Sequence, residues 1–99
     1  MLRRSAEWFD AQYNNRARVP DSAVLLDRWT RASQLVRDQA PCVLDIAYGA
    51  APSERLDVFP TEAAQAPVLV FLHGGYWRSL DKSDHAFLAP AFTRAGVCV

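Results

Sequence analysis

An excess of charge of either sign is missing from this 99-residue chain: eleven lysines and arginines meet eleven aspartates and glutamates. No net field draws it to a polyanion, and the arginines are scattered among acids rather than gathered into a basic run. Neither nucleic acid nor an anionic membrane surface is an expected partner. Long apolar stretches near the start are lacking too. MLRRSAEWFDAQ follows its arginines with Glu7 and Asp10, so neither a secretory leader nor a membrane span is expected there, and a cytoplasmic location is the default. Cysteine is sparse. Cys42 and Cys98 stand far apart, without metal-ligand spacing or nearby histidines. They read as small buried hydrophobes in a reducing compartment, and neither a metal nor another cofactor is expected.

What is present is an ordinary globular composition, 51% hydrophobic and 22% charged, in a chain short enough to form one domain at most. Ser5 can cap a short helix through Trp8, Phe9 and Tyr13, which ends at Asn14 and Asn15. Pro20, Asp21 and Ser22 open a second helix, with Asp21 or Ser22 as its cap. Leu25, Trp29, Ala32 and Val36 recur there at helical spacing, with an Asp27–Arg31 pair on the outer side. Pro41 stops this helix by forcing Ala40 into extended geometry. Residues 1–40 thus read as a helical flap ahead of a sheet.

The period then changes. Residues 43–48 and 55–59 read as short strands joined by a turn over 49–53, a candidate hairpin. Residues 68–72 are apolar throughout, as in a strand covered on both faces of a parallel sheet. Residues 84–95 place Phe87, Leu88, Ala91, Phe92 and Ala95 on one helical face, with Pro90 expected to kink that helix or delay its start. Gly96 ends it, and residues 97–99 begin another strand. Strand, loop, helix and strand make a βαβ unit, hence an α/β fold with a mostly parallel sheet over residues 41–99.

The run VLVFLHGGYW, residues 68–77, carries the chemical content. An apolar strand breaks off into His73, then Gly74 and Gly75, then Tyr76 and Trp77. Glycines without Cβ atoms let another molecule approach the backbone, and successive N–H groups in such a turn can converge on negative charge. In acyl transfer that charge develops on the carbonyl oxygen of a tetrahedral intermediate, and losing one fixed donor costs on the order of 3 kcal/mol. A tight turn that merely happens to use two glycines is the bland alternative. Its place at the carboxyl end of an apolar strand, where open α/β sheets bind ligands, favours the functional reading.

HGGYW after a buried strand resembles the oxyanion loop of α/β-hydrolases of the hormone-sensitive-lipase-like esterase branch. Tyr76–Trp77 in place of a third glycine, with RSLDKSDHAFLAPAF and QYNNRARVPD nearby, resembles the arylformamidases, which cleave N-formylkynurenine in tryptophan breakdown. The resemblance implies a small amide or ester substrate. It implies that the backbone N–H groups of Gly75 and Tyr76 form the oxyanion hole and that Gly74 permits the turn. It implies that His73 braces the loop and that Trp77 packs beside the substrate.

One part of the pattern is missing. No G-x-S-x-G occurs, since none of Gly49, Gly74, Gly75 and Gly96 flanks a serine suitably. In this fold the triad runs Ser, acid, His along the chain, so all three are expected beyond residue 99. His85 then reads as a helix-surface residue at the pocket rim, and Ser79 and Ser83 as loop and cap residues. The chain is expected to be the N-terminal part of the fold, inactive alone. If the family's sheet order applies, residues 97–99 lie between the second and third strands, and the piece is at best marginally folded.

Overall fold

The computed structural model describes residues 2–75 and 79–99. Helix α1 (Ala6–Tyr13) starts where Ser5 Oγ accepts the Trp8 N–H at 3.2 Å. Asn14 closes it and immediately caps a four-residue helix, α2 (Asn15–Arg18), accepting the Ala17 N–H at 3.2 Å. That extra turn was not foreseen; an asparagine that ends one helix can cap the next, because its amide oxygen mimics a backbone acceptor. Helix α3 (Ser22–Gln39) has Asp21 at its N-cap without a side-chain cap bond, while the Ser22 hydroxyl donates to the Arg16 carbonyl at 3.2 Å. The Asp27–Arg31 pair forms at 2.8 Å, and Ala40 is extended (φ −89°, ψ 149°) as Pro41 requires.

Strands β1 (Val43–Ala47) and β2 (Arg55–Val58) pair antiparallel, with Ala47 opposite Arg55 and Val43 opposite Val58. The ladder is irregular between Val43 and Ile46, where Asp45 sits at φ 58°. Such a bulge re-aims a side chain. Here the Asp45 N–H bonds to Asp57 Oδ1 at 2.9 Å, while both carboxylates receive the Lys82 ammonium, at 2.6 Å for Asp45 and 2.8 Å for Asp57. The Asp57 side chain is only 5% exposed, so this contact clamps the hairpin to the segment after the glycines.

Residues 68–72 do not form the predicted strand. Among the described residues only Val68 joins a bridge, parallel to Cys98, made by Leu69 N–H to Cys98 O at 2.8 Å and Cys98 N–H to Pro67 O at 2.9 Å. A strand needs a ladder, and residues 97–99 supply only its first rung. Val68, Val70, Phe71 and Leu72 are all exposed, Leu72 by 86%. On their other side residues 97–99 meet the end of β2, where Phe59 and Val99 exchange both N–H···O bonds, at 2.8 and 3.0 Å. Such reciprocal bonding is an antiparallel pattern. Residues 97–99 therefore run between the end of β2 and Val68.

The predicted helix over 84–95 is likewise shorter. Two 3₁₀ turns, Lys82–Asp84 and Ala86–Leu88, precede α4 (Ala89–Arg94), which carries Pro90 in its first turn. Proline lacks an N–H and fits that position, so the delayed start has a local cause. Asp81 rather than Ser83 caps the first turn: its side chain accepts the Lys82 N–H at 2.7 Å, and Asp84 returns a bond to the Asp81 N–H at 2.9 Å.

Phe59, Ala86 and Ala89 form the small core, with Val36, Cys42 and Val99 against it. Ser33 is fully buried on α3 and accepts the Phe87 N–H at 3.1 Å, which seats the second 3₁₀ turn on that helix. The accessible surface is 8069 Å², against about 5,700 Å² for a compact monomer of this mass. The radius of gyration is 17.5 Å, where a compact domain of this length has about 13 Å. Much apolar surface is thus left uncovered by these residues.

Candidate functional site

The residues of the glycine turn diverge in role. Gly75 adopts φ 120°, and a Cβ built on it would lie 2.0 Å from the Ser79 carbonyl oxygen. Only glycine fits there. At Gly74 a Cβ would meet nothing within 4 Å, so the conformational demand falls on Gly75 and not on Gly74. Among the described residues, no hydrogen-bond acceptor takes the Gly75 N–H. Tyr76 and Trp77, the expected second amide donor and the expected substrate wall, lie outside the described residues.

Gly75 lines a cleft of about 290 Å³. Its far wall is built by the N-terminal helices, with Val19, Leu25, Leu26 and Trp29 giving it an apolar lining. Ser79 and Leu80 complete the near side. Leu80 stands at φ 72° as the chain folds back from the turn. Arg16 of α2 reaches across and donates from Nη2 to Ser79 Oγ at 3.0 Å. The helical segment thus closes over the glycine turn. The stripe read along α3 divides: Val36 packs on the core, while Leu25 and Trp29 stay about 40% exposed and line the cleft.

His73 is exposed, and its Nδ1 lies 2.7 Å from the Gly74 carbonyl oxygen, a contact that holds the ring over its own turn. Its ring stacks on that of His85, with centroids 5.4 Å apart and planes 12° from parallel. His85 is not on a helix surface. It joins the two 3₁₀ turns, with Nδ1 3.1 Å from the Asp81 carbonyl oxygen, and it faces Phe71 at 5.6 Å and Trp29 at 6.2 Å. Phe87 stacks on Trp29 at 5.7 Å. This aromatic tier links the end of the apolar run, the glycine turn and the wall of the cleft. Sequence reading had the members singly; that α3 would bring Trp29 to them depended on tertiary packing.

Beside the turn, the Lys82 cluster fixes electrostatics rather than chemistry. The Asp45 carboxyl is held below its ordinary range by the hydrogen bond from Lys82 and then by its charge. Burial pulls Lys82 down, but its bonds to Asp45 and Asp57 and their charges outweigh that and leave it raised. Both ions are therefore charged at neutral pH, and Lys82 is no base. Among the described residues no group of three or more histidines, cysteines and acids is placed to hold a metal ion, and no helix is long and apolar enough to cross a membrane.

Against known proteins, no protein-family model matches the chain. The chain is similar to kynurenine formamidases. It is 35% identical over 69 residues to that of Salmo salar, a match covering 68% of this chain and 24% of the relative. The Danio rerio protein is 32% identical over 69 residues, with the same coverage. The Drosophila melanogaster protein is 35% identical over 65 residues, 64% of this chain and 21% of the relative. The chain thus spans about a quarter of the length of the curated relatives it matches. A crystal structure from Silicibacter sp., of a protein named as a candidate thioesterase, superposes with a TM-score of 0.78 at 31% identity. That likeness covers 87% of this chain and 34% of the other. The mixed α/β arrangement described above is therefore one that a solved structure also contains.

Proposed function

We propose that this chain is the oxyanion-loop portion of a serine hydrolase of arylformamidase type. The observation that carries the reading is Gly75: its backbone lies in a conformation closed to other residues, its N–H is free of ladder bonding among the described residues, and it borders an apolar cleft. The similarity to kynurenine formamidases names the reaction class. In this reading a serine attacks the formamide carbonyl, and the Gly75 and Tyr76 amides hold the oxygen as it becomes negative. The tetrahedral adduct expels the arylamine, and water then releases formate from the acyl-enzyme. Fixed donors stabilise the adduct without reorganising, which is why they matter most in a water-poor cleft. In this reading these 99 residues supply the oxyanion donors and not the nucleophile, since no serine here sits in a G-x-S-x-G elbow.

Two experiments test this. A serine-reactive fluorophosphonate should leave the 99-residue chain unlabelled; specific labelling would contradict the absence of a nucleophile. Grafting this chain, glycine turn included, in place of the corresponding stretch of the Salmo salar kynurenine formamidase should yield an enzyme that hydrolyses N-formylkynurenine. A folded, fluorophosphonate-reactive graft without that activity would remove the formamidase assignment.

The Silicibacter neighbour favours a second reading, in which the same loop serves a carboxylic ester or thioester. Turnover of short p-nitrophenyl esters but not of N-formylkynurenine by the graft would support it.

A further inference from the structure

We propose that Arg16 recognises a carboxylate on the substrate, so that the cleft selects aromatic amides that carry an acid group over neutral ones. The inference rests on the hydrolase reading above and adds a specificity residue to it. Among the described residues Arg16 is the charged side chain lining the cleft, whose helical wall otherwise has the neutral polar Asn15 and Ser22 beside the apolar Val19, Leu25, Leu26 and Trp29. Its recorded partner there is a neutral hydroxyl, Ser79 Oγ at 3.0 Å, and no carboxylate among the described residues lies within ion-pair distance of it. Three other cations are engaged, Lys82 by two carboxylates, Arg31 by Asp27, and Arg37 by the Ser83 carbonyl and Gln34, while Arg28 of α3 does not line the cleft.

A guanidinium offers five donors in a planar fork, and one bond to a hydroxyl leaves a bidentate face for a carboxylate. Ser79 ties this cation to the turn, because its carbonyl is the atom that packs against Gly75 while its hydroxyl receives Arg16. An aromatic ring between Trp29 and Leu25 would thus have an anion reader and the Gly75 amide along one wall of a space of about 290 Å³. The chemical class is an N-acylated aromatic amine bearing a carboxylate.

The test uses the full 99-residue chain, titrated by NMR with 2-formamidobenzoate and with its neutral counterpart 2-formamidobenzamide, following the Gly75, Ser79 and Leu80 amides. The carboxylate should bind about ten- to a hundredfold more tightly than the amide. Arg16→Leu should remove that preference while neutral-probe binding persists, and Arg16→Lys should keep part of it. Equal binding of both probes to the unaltered chain, or an unchanged preference in Arg16→Leu, would overturn the role of Arg16 and leave the hydrolase reading standing. Failure of both probes to move these amides would overturn the role of Arg16, while the hydrolase reading stands or falls separately with the graft.

Discussion

Replacing Gly75 by alanine separates a functional turn from a casual one, because its neighbour provides an internal control. At Gly75 the new Cβ would lie 2.0 Å from a backbone oxygen, that of Ser79, which cannot rotate away as a side chain could. The residue must also hold φ 120°, outside the regions open to alanine. Strain of that kind costs about 1–3 kcal/mol before the collision is counted, so the turn rebuilds rather than tolerates it. At Gly74 there is no atom within 4 Å and no positive φ. Alanine there should be neutral or stabilising by about 0.4–1 kcal/mol through the unfolded chain. Urea titration of the two variants gives the stabilities, and amide chemical shifts at Ser79 and Leu80 report the turn. A Gly75→Ala variant with unchanged shifts and stability, or a Gly74→Ala variant damaged equally, would refute the reasoning.

The Lys82 cluster predicts a pH profile with two edges. Asp45 is depressed when folded, so its contribution is present above the ordinary carboxylate pKa and fades as pH falls through the lowered value, below about pH 4. Lys82 is raised, so its contribution is full below about pH 10 and is lost only as pH climbs through the elevated value. Chemical denaturation across pH 2–12 checks both edges. Lys82→Met leaves the 5%-exposed Asp57 carboxylate without its cation and should cost about 1–3 kcal/mol, read by the same titration. Ser33→Ala strands the Phe87 N–H against α3 and should cost about 1–3 kcal/mol, with faster hydrogen exchange at Phe87 as the local signature. Ser5→Ala should cost about 1 kcal/mol of local helix stability, seen as amide shifts confined to α1, which buries no residue of its own.

What sequence could show followed the range of the interaction. Helix boundaries set within a few residues were legible: Ser5 as a cap, Pro41 as a stop and Pro90 as a delay all act on their immediate neighbours. The hairpin was legible because its two strands flank one short turn. The strand expected over 68–72 was not formed, since an apolar run states a preference and a ladder needs a partner; one rung at Cys98 is all these residues supply. Gly74 and Gly75 were equivalent on paper, and only the return of the chain to Ser79 distinguished them. The Asp45–Lys82–Asp57 clamp depends on a bulge, and Arg16 at the cleft depends on an unforeseen helical turn that Asn14 caps. Neither has a signal at fixed sequence spacing.

The central claim is that main-chain amides at this turn stabilise a developing oxyanion. The most direct measurement is N-formylkynurenine turnover by the Salmo salar graft carrying Gly75→Ala or Gly74→Ala. The account predicts a loss of about a hundred- to a thousandfold for the first, in kcat rather than KM, and near-normal turnover for the second. Full activity in the Gly75→Ala graft would contradict it.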